Sequence, residues 1–226
     1  MIPQRKTEAE KARIIANCPK CGGVGCAICQ RYCSFIGDMA DAGIPVDYWF
    51  RDLGKWYGDP EFLDWLVSSY LGNLGTIYAE GKILCLMGHR GVGKTMAACG
   101  ILKKAILAGY SAHYTSLVDA VDNLVSEEAH EYRRILRLAD FLVVDEVDQR
   151  FFGSPNSRAL YGNQFEAILR ARTQNRMPMV ICSNAGDPDD IFAGEFQESF
   201  RSLRAQFFVE KVVRGEDVRR SRGGDA

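Results

Sequence analysis

No apolar run in the sequence approaches 18 uninterrupted residues, so no helix is expected to cross a membrane. An excess of either charge is also missing. Lys and Arg number 28 against 29 Asp and Glu, a net charge of −1, so the molecule as a whole does not attract nucleic acid electrostatically. Any such contact must come from a local patch. No apolar h-region follows Met1-Ile2-Pro3-Gln4-Arg5-Lys6, which argues against a signal peptide and makes a reducing, cytoplasmic interior the expected location. What remains is ordinary for a globular chain: 226 residues, 47% hydrophobic and 25% charged, enough for one medium α/β domain with a small appendage.

Cysteine is plentiful. Of the eight, Cys85, Cys99 and Cys182 sit in apolar context and read as small buried hydrophobes. Cys18, Cys21, Cys26, Cys29 and Cys33 fall within 16 positions. Cys18-Pro19-Lys20-Cys21 and Cys26-Ala27-Ile28-Cys29 are two Cys-x2-Cys units. Each turn aims two thiolates at one centre, and together they supply the four soft ligands of tetrahedral Zn²⁺. A segment this short cannot bury a core of its own, so a metal would contribute much of its folding energy. Cys33 is a fifth candidate, able to replace Cys26 or Cys29. The spacing Cys26-x2-Cys29-x3-Cys33 is also close to iron–sulfur patterns. Zinc, a cluster, and metal-free thiols or a disulfide are thus alternatives, with zinc the leading one. No His or Asp pattern accompanies the thiols, so the role is structural rather than catalytic.

Strand-like and helical patterns alternate after this cluster. A short helix is expected over 4–16, and a break at Gly43-Ile44-Pro45. An aromatic stretch follows with Tyr48, Trp49, Phe50, Trp56 and Tyr57, suited either to packing on the next domain or to a partner. Asp59-Pro60 marks a helix start, with Gly72 and Gly75 expected to end that helix. Strands are expected at Ile83–Met87, His113–Thr115, Phe141–Val144, Met179–Ser183 and within Phe207–Val213. Helices are expected at Thr95–Ala108, Leu117–Arg137, Leu160–Gln174 and Glu198–Arg204. This alternation predicts an α/β fold, a mostly parallel sheet flanked by helices. The expected organisation is a metal-binding module over 1–40, an aromatic connector over 41–58, a nucleotide-binding domain over 59–220 and a flexible tail over 221–226.

The chemistry is concentrated in Gly88-His89-Arg90-Gly91-Val92-Gly93-Lys94-Thr95, followed by Met96, which joins a predicted strand to a predicted helix. That context is what a phosphate-binding P-loop requires. Glycines let backbone N–H groups curl around phosphate oxygens, and the helix N-terminus favours the anion. Lys94 is then placed for the β- and γ-phosphates of ATP, and the Thr95 hydroxyl for Mg²⁺. Asp145 ends the third strand, so a parallel sheet would bring it to the P-loop edge as a second Mg²⁺ ligand. Glu146 is next to it, free to polarise an attacking water. Asn184 ends the fourth strand, where its amide can orient that water or touch the γ-phosphate. The developing charge calls for a cation, and Arg201 and Arg204 are the candidates. Arg172 is a third, with a structural role equally suited to it.

These residues in this order resemble an AAA+ ATPase. More narrowly, they resemble the bacterial and phage replicative-helicase loaders of the DnaC/DnaI group, relatives of the IstB transposition ATPases. Supporting strings are Gly43-Ile44-Pro45 before an aromatic connector, Arg172-x4-Met177-Pro178-Met179-Val180-Ile181-Cys182-Ser183-Asn184, Gly215-Glu216-Asp217-Val218-Arg219, and the Cys-Pro-x-Cys start at Cys18. The resemblance implies that Asp145 and Glu146 are the Walker B pair and Asn184 is sensor 1. It also implies an N-terminal module that holds the hexameric replicative helicase, and an ATPase domain that engages single-stranded DNA, self-associates and hydrolyses ATP. The expected setting is the cytoplasm of a bacterium or of a phage host. The family's arginine lies just before or within Arg-Leu, whereas this chain reads Phe200-Arg201-Ser202-Leu203-Arg204, which leaves both arginines in play. An IstB-like transposition helper acting on duplex DNA is the alternative. Lys and Arg exceed Asp and Glu by six to three over 1–40 and by seven to four over 201–226, either of which can supply phosphate contacts. Arg150-Phe151-Phe152 is a further candidate for base stacking, or else a packed loop.

Overall fold

The computed structural model describes residues 12–13, 16–17, 21, 24, 27–56, 58–124, 129–148, 150–191 and 196–217. The expected helix over 4–16 lies mostly outside them, as do Cys18, Cys26 and the tail over 221–226. Five strands form one sheet: β1 Ile83–Met87, β2 Ala112–Ser116, β3 Phe141–Asp145, β4 Met179–Cys182 and β5 Phe208–Val212. Their order is β2-β3-β4-β1-β5, and every pairing is parallel.

The three inner strands are buried at every position, which explains their unbroken apolar sequence. Side chains alternate between two cores. Leu84, Leu86, Val143, Val180 and Cys182 face one, with α1 Ala27–Asp41, the segment from Pro60 to Glu80, and α4 Lys94–Leu107. Ile83, Cys85, Met87, Val144 and Ile181 face the other, with α5 Leu117–Leu124, α6 Ala129–Leu138, α7 Asn163–Gln174 and α8 Phe196–Phe207. The result is a three-layer α/β fold. Burying each large aliphatic side chain contributes about 1.5–3 kcal/mol, so these two cores dominate the stability. Cys85, Cys99 and Cys182 are fully buried, as expected, and burial pushes the Cys85 and Cys99 thiols up to about 12.

Three features differ from the expected organisation. The boundary at 40/41 falls inside α1, whose inner face buries Ile36 and Met39 in the first core. The region over 27–41 is therefore part of the nucleotide-binding body. The helix starting at Pro60 is capped as expected by Asp59, whose side chain accepts from the Phe62 N–H at 3.0 Å. It does not end at Gly72 or Gly75. From α2 Pro60–Trp65 the chain continues through a wide turn over Leu66–Tyr70 and a tight one over Leu71–Asn73 into α3 Leu74–Glu80. Leu66, Tyr70 and Leu74 recur every four residues and are all buried. Their packing outweighs the roughly 1 kcal/mol cost of each helical glycine. Finally, the stretch over Leu117–Arg137, expected to be mostly helical, is described as two helices, α5 and α6, with 125–128 outside the described residues.

Candidate nucleotide site

The strand order places the site. β4 lies between β1 and β3, and all three end at one sheet edge. Residues just past those ends therefore converge although they are far apart in sequence. Lys94 follows β1, Asp145 ends β3 and Asn184 follows β4. The ends are stitched together by backbone bonds: Ser183 N–H to Leu86 C=O at 2.9 Å, Val147 N–H to Cys182 C=O at 3.0 Å and Gly88 N–H to Ala185 C=O at 3.1 Å.

The loop from Gly88 to Gly93 needs backbone freedom that only glycine supplies cheaply. Gly88 has φ +136°, and a Cβ there would lie 2.3 Å from the Val213 carbonyl. Gly93 has φ +103°, and a Cβ would lie 2.5 Å from the Trp56 ring. The loop is thus framed by the connector on one side and by the chain after β5 on the other. Val92 is buried and anchors the loop, whereas His89 and Arg90 are exposed. Lys94 and Thr95 open α4, with Met96 beside them.

Lys94 is 7% exposed. Its Nζ donates to Gly88 C=O and His89 C=O, both at 2.7 Å, and to Asn184 Oδ1 at 3.1 Å. These oxygens satisfy and orient the buried ammonium. The structure therefore brings Lys94 and Asn184 together, as the strand arithmetic requires. Opposite, the Thr95 hydroxyl donates to Asp145 Oδ2 at 2.8 Å. Asp145 is 5% exposed, and its Oδ1 accepts from the Glu146 N–H at 2.7 Å. A hydroxyl and a carboxylate in contact, beside a buried ammonium in a glycine cradle, form a hard oxygen donor set that suits Mg²⁺ bound to phosphate. Glu146 is exposed and adopts φ +57°, a strained conformation for a residue with a side chain and one that collects at functional sites.

The arginine candidates separate. Arg204 donates from Nε to Glu210 Oε1 at 2.7 Å and from Nη2 to Glu210 Oε2 at 3.2 Å, and it is also paired with Asp189. These bonds, led by that to Glu210, raise its pKa. Arg201, on the same helix, is exposed. Arg172 is fully buried and donates to the carbonyls of Leu136 at 2.9 Å, Ala139 at 2.8 Å and Pro178. All three precede β3 or β4, so Arg172 ties the sheet edge opposite to the site and cannot serve as a finger. Phe151 and Phe152 are buried in the second core, which removes them from base stacking; Arg150 lies over the Phe151 ring at 4.8 Å.

Among the cysteine cluster, Cys33 is buried on α1, Cys21 is half-buried, and the side chain of Cys29 is outside the described residues. Among the described residues no group of three potential metal ligands occurs.

Sequence reasoning missed two residues here. Tyr114 on β2 donates its hydroxyl to Asp145 Oδ2 at 2.8 Å. Tyr48, in the aromatic connector, lies near Thr95, and its carbonyl accepts from Lys103 Nζ at 2.9 Å. The signal for Tyr114 was its place two residues before the end of the strand beside β3.

Comparison with known proteins bears on the family and the fold. A family model described as IstB-like ATP binding protein matches residues 70–186. No curated protein matches the chain. The fold is similar to that of DnaI, with 16% identity, TM-score 0.59, and coverage of 76% of this chain and 93% of that one. It is similar to the DnaC helicase loader, with 18% identity, TM-score 0.57, and coverage of 75% and 100%. It is also similar to AMPPCP-bound DnaA from Aquifex aeolicus, with 20% identity and TM-score 0.55 over 74% of this chain; this chain spans only half the length of the DnaA chains it matches. A P-loop, a parallel five-stranded sheet and a family match over more than half its length place the chain in the family of IstB-like ATP-binding proteins.

Proposed function

We propose that this chain is an ATPase that loads the replicative DNA helicase, hydrolysing ATP to ADP and phosphate while engaging single-stranded DNA. The observation that carries the ATPase reading is the 2.8 Å contact between Thr95 and Asp145 at the sheet edge that also holds Lys94 and Asn184. In this reading Lys94 and the loop from Gly88 to Thr95 hold the phosphates, and Thr95 and Asp145 hold Mg²⁺. The ion neutralises phosphate charge when bound. Glu146 takes the proton of the attacking water, and Asn184 orients that water. Arg201, exposed where Arg204 is already neutralised, is the better candidate for a finger reaching a neighbouring subunit.

Helicase loading rests on two supports. The likeness in fold covers the whole of the DnaC helicase loader structure, and the cysteine-rich segment ahead of the ATPase body supplies a second binding element. In this reading Zn²⁺ on the cysteine cluster shapes that segment for the helicase. A DnaA structure of the same fold binds single-stranded DNA, which supports DNA contact. The family match to IstB-like proteins favours a second reading, a transposition helper on duplex DNA.

One set of experiments tests both. Lys94→Ala should abolish ATP binding, and unchanged affinity refutes the site. The wild-type protein should co-purify with the replicative helicase of the same organism in an ATP-dependent manner. Because α1 belongs to the core, the cysteine segment is tested by Cys18→Ser with Cys21→Ser rather than by truncation at 40. Loss of the helicase complex supports loading. Duplex-DNA binding with no helicase complex supports the second reading.

A further inference from the structure

We propose that Tyr114 is a positioning residue that holds the Thr95–Asp145 pair in the orientation that binds Mg²⁺. The proposal rests on the ATPase reading above and concerns the same site. Asp145 Oδ2 accepts from two hydroxyls, Thr95 and Tyr114, each at 2.8 Å. Its Oδ1 accepts from the Glu146 N–H. Both carboxylate oxygens are therefore held, and the plane of the group is set before any metal arrives. The register explains how Tyr114 reaches. Tyr114 pairs with Val143 and Ser116 with Asp145, so Tyr114 and Asp145 lie on one face, two residues apart along adjacent strands. The phenol spans that offset.

The same tyrosine is fixed from outside the sheet. Its backbone N–H donates to Ala42 C=O at 2.7 Å, just past α1. A few residues on, the Tyr48 carbonyl accepts from Lys103 Nζ at 2.9 Å. One short segment, 42–48, thus binds β2 at Tyr114 and α4 at Lys103.

The test is a Mg²⁺ titration of binding of a non-hydrolysable ATP analogue, with thermal melting as a control. Tyr114→Phe deletes one oxygen and one hydrogen bond to a charged group. It should raise the Mg²⁺ concentration at half-saturation about tenfold, with analogue affinity in EDTA unchanged. A merely structural hydroxyl would lower the melting temperature and leave the Mg²⁺ midpoint in place, and that outcome overturns the proposal. Should Tyr114→Phe fail to fold, replacement of Tyr114 by p-aminophenylalanine, which keeps the volume and a weaker donor, carries the same test: a smaller rise in the midpoint supports the proposal, and no change overturns it. If the wild-type protein binds the analogue with no Mg²⁺ dependence, the ATPase reading falls as well. If the wild type is Mg²⁺-dependent and the variants match it, the tyrosine proposal falls alone.

Discussion

Replacing Arg172 by Met should destabilise the protein by about 2–5 kcal/mol while leaving nucleotide affinity intact. Arg172 is fully buried, and its guanidinium donates to three carbonyls, those of Leu136, Ala139 and Pro178. Met fills most of the vacated volume, so cavity formation is a minor cost. The larger cost is three buried carbonyls left without their donor, at about 1–3 kcal/mol each. An opposing gain comes from no longer burying a cation. Burial lowers the Arg172 pKa to about 9, a sign of that desolvation cost, although the group remains charged at neutral pH. A loss of ~3 kcal/mol lowers Tm by about 6–12 °C in a chain of this size. The carbonyls lie before β3 and β4, whereas the phosphate loop and Asp145 lie past the other ends, about 16 Å away along a five-residue strand. Urea denaturation followed by circular dichroism, with nucleotide titration of the folded protein, checks both parts. A loss below about 1 kcal/mol would refute the reasoning. A change in ATP affinity of the folded protein would show that the two sheet edges are not independent.

Other expected outcomes concern the chemistry. Glu146→Gln keeps the side chain's size, so ATP binding should persist while phosphate release falls about 10²- to 10⁴-fold; a full rate removes Glu146 as the base. Mixing Arg201→Ala with Lys94→Ala protein should restore turnover only if the finger acts across a subunit boundary. The same mixture with Arg204→Ala should not, and the reverse result would transfer the role. Elemental analysis should find about one zinc per chain at the cysteine cluster. Iron with visible absorbance would identify a cluster instead.

Local pattern was sufficient where one element carries its own signal. The P-loop was legible because glycines, Lys94 and Thr95 are contiguous and sit between a strand and a helix. The three inner strands were legible because β1, β3 and β4 are buried on both faces and run apolar up to Asp145. The continuation past Gly72 and Gly75 was not legible, since propensity is a local quantity and the burial of Tyr70 and Leu74 is not. Arg172 could not be assigned for the same reason: its three acceptors are backbone carbonyls, which have no sequence signature. The aromatic connector divided. Trp49 and Trp56 pack on the core, while Phe50 is exposed and stacks on Tyr32 at 6.3 Å.

Sequence alone determined the nucleotide loop, the strand end at Asp145, and the α/β class, because each depends on neighbours along the chain and on burial periodicity. Tertiary structure decided that β4 separates β1 from β3, that Lys94 therefore meets Asn184, and that Tyr114 closes on Asp145. Those contacts depend on strand order and register, which are set by how two apolar faces are covered at once and leave no mark in any single segment.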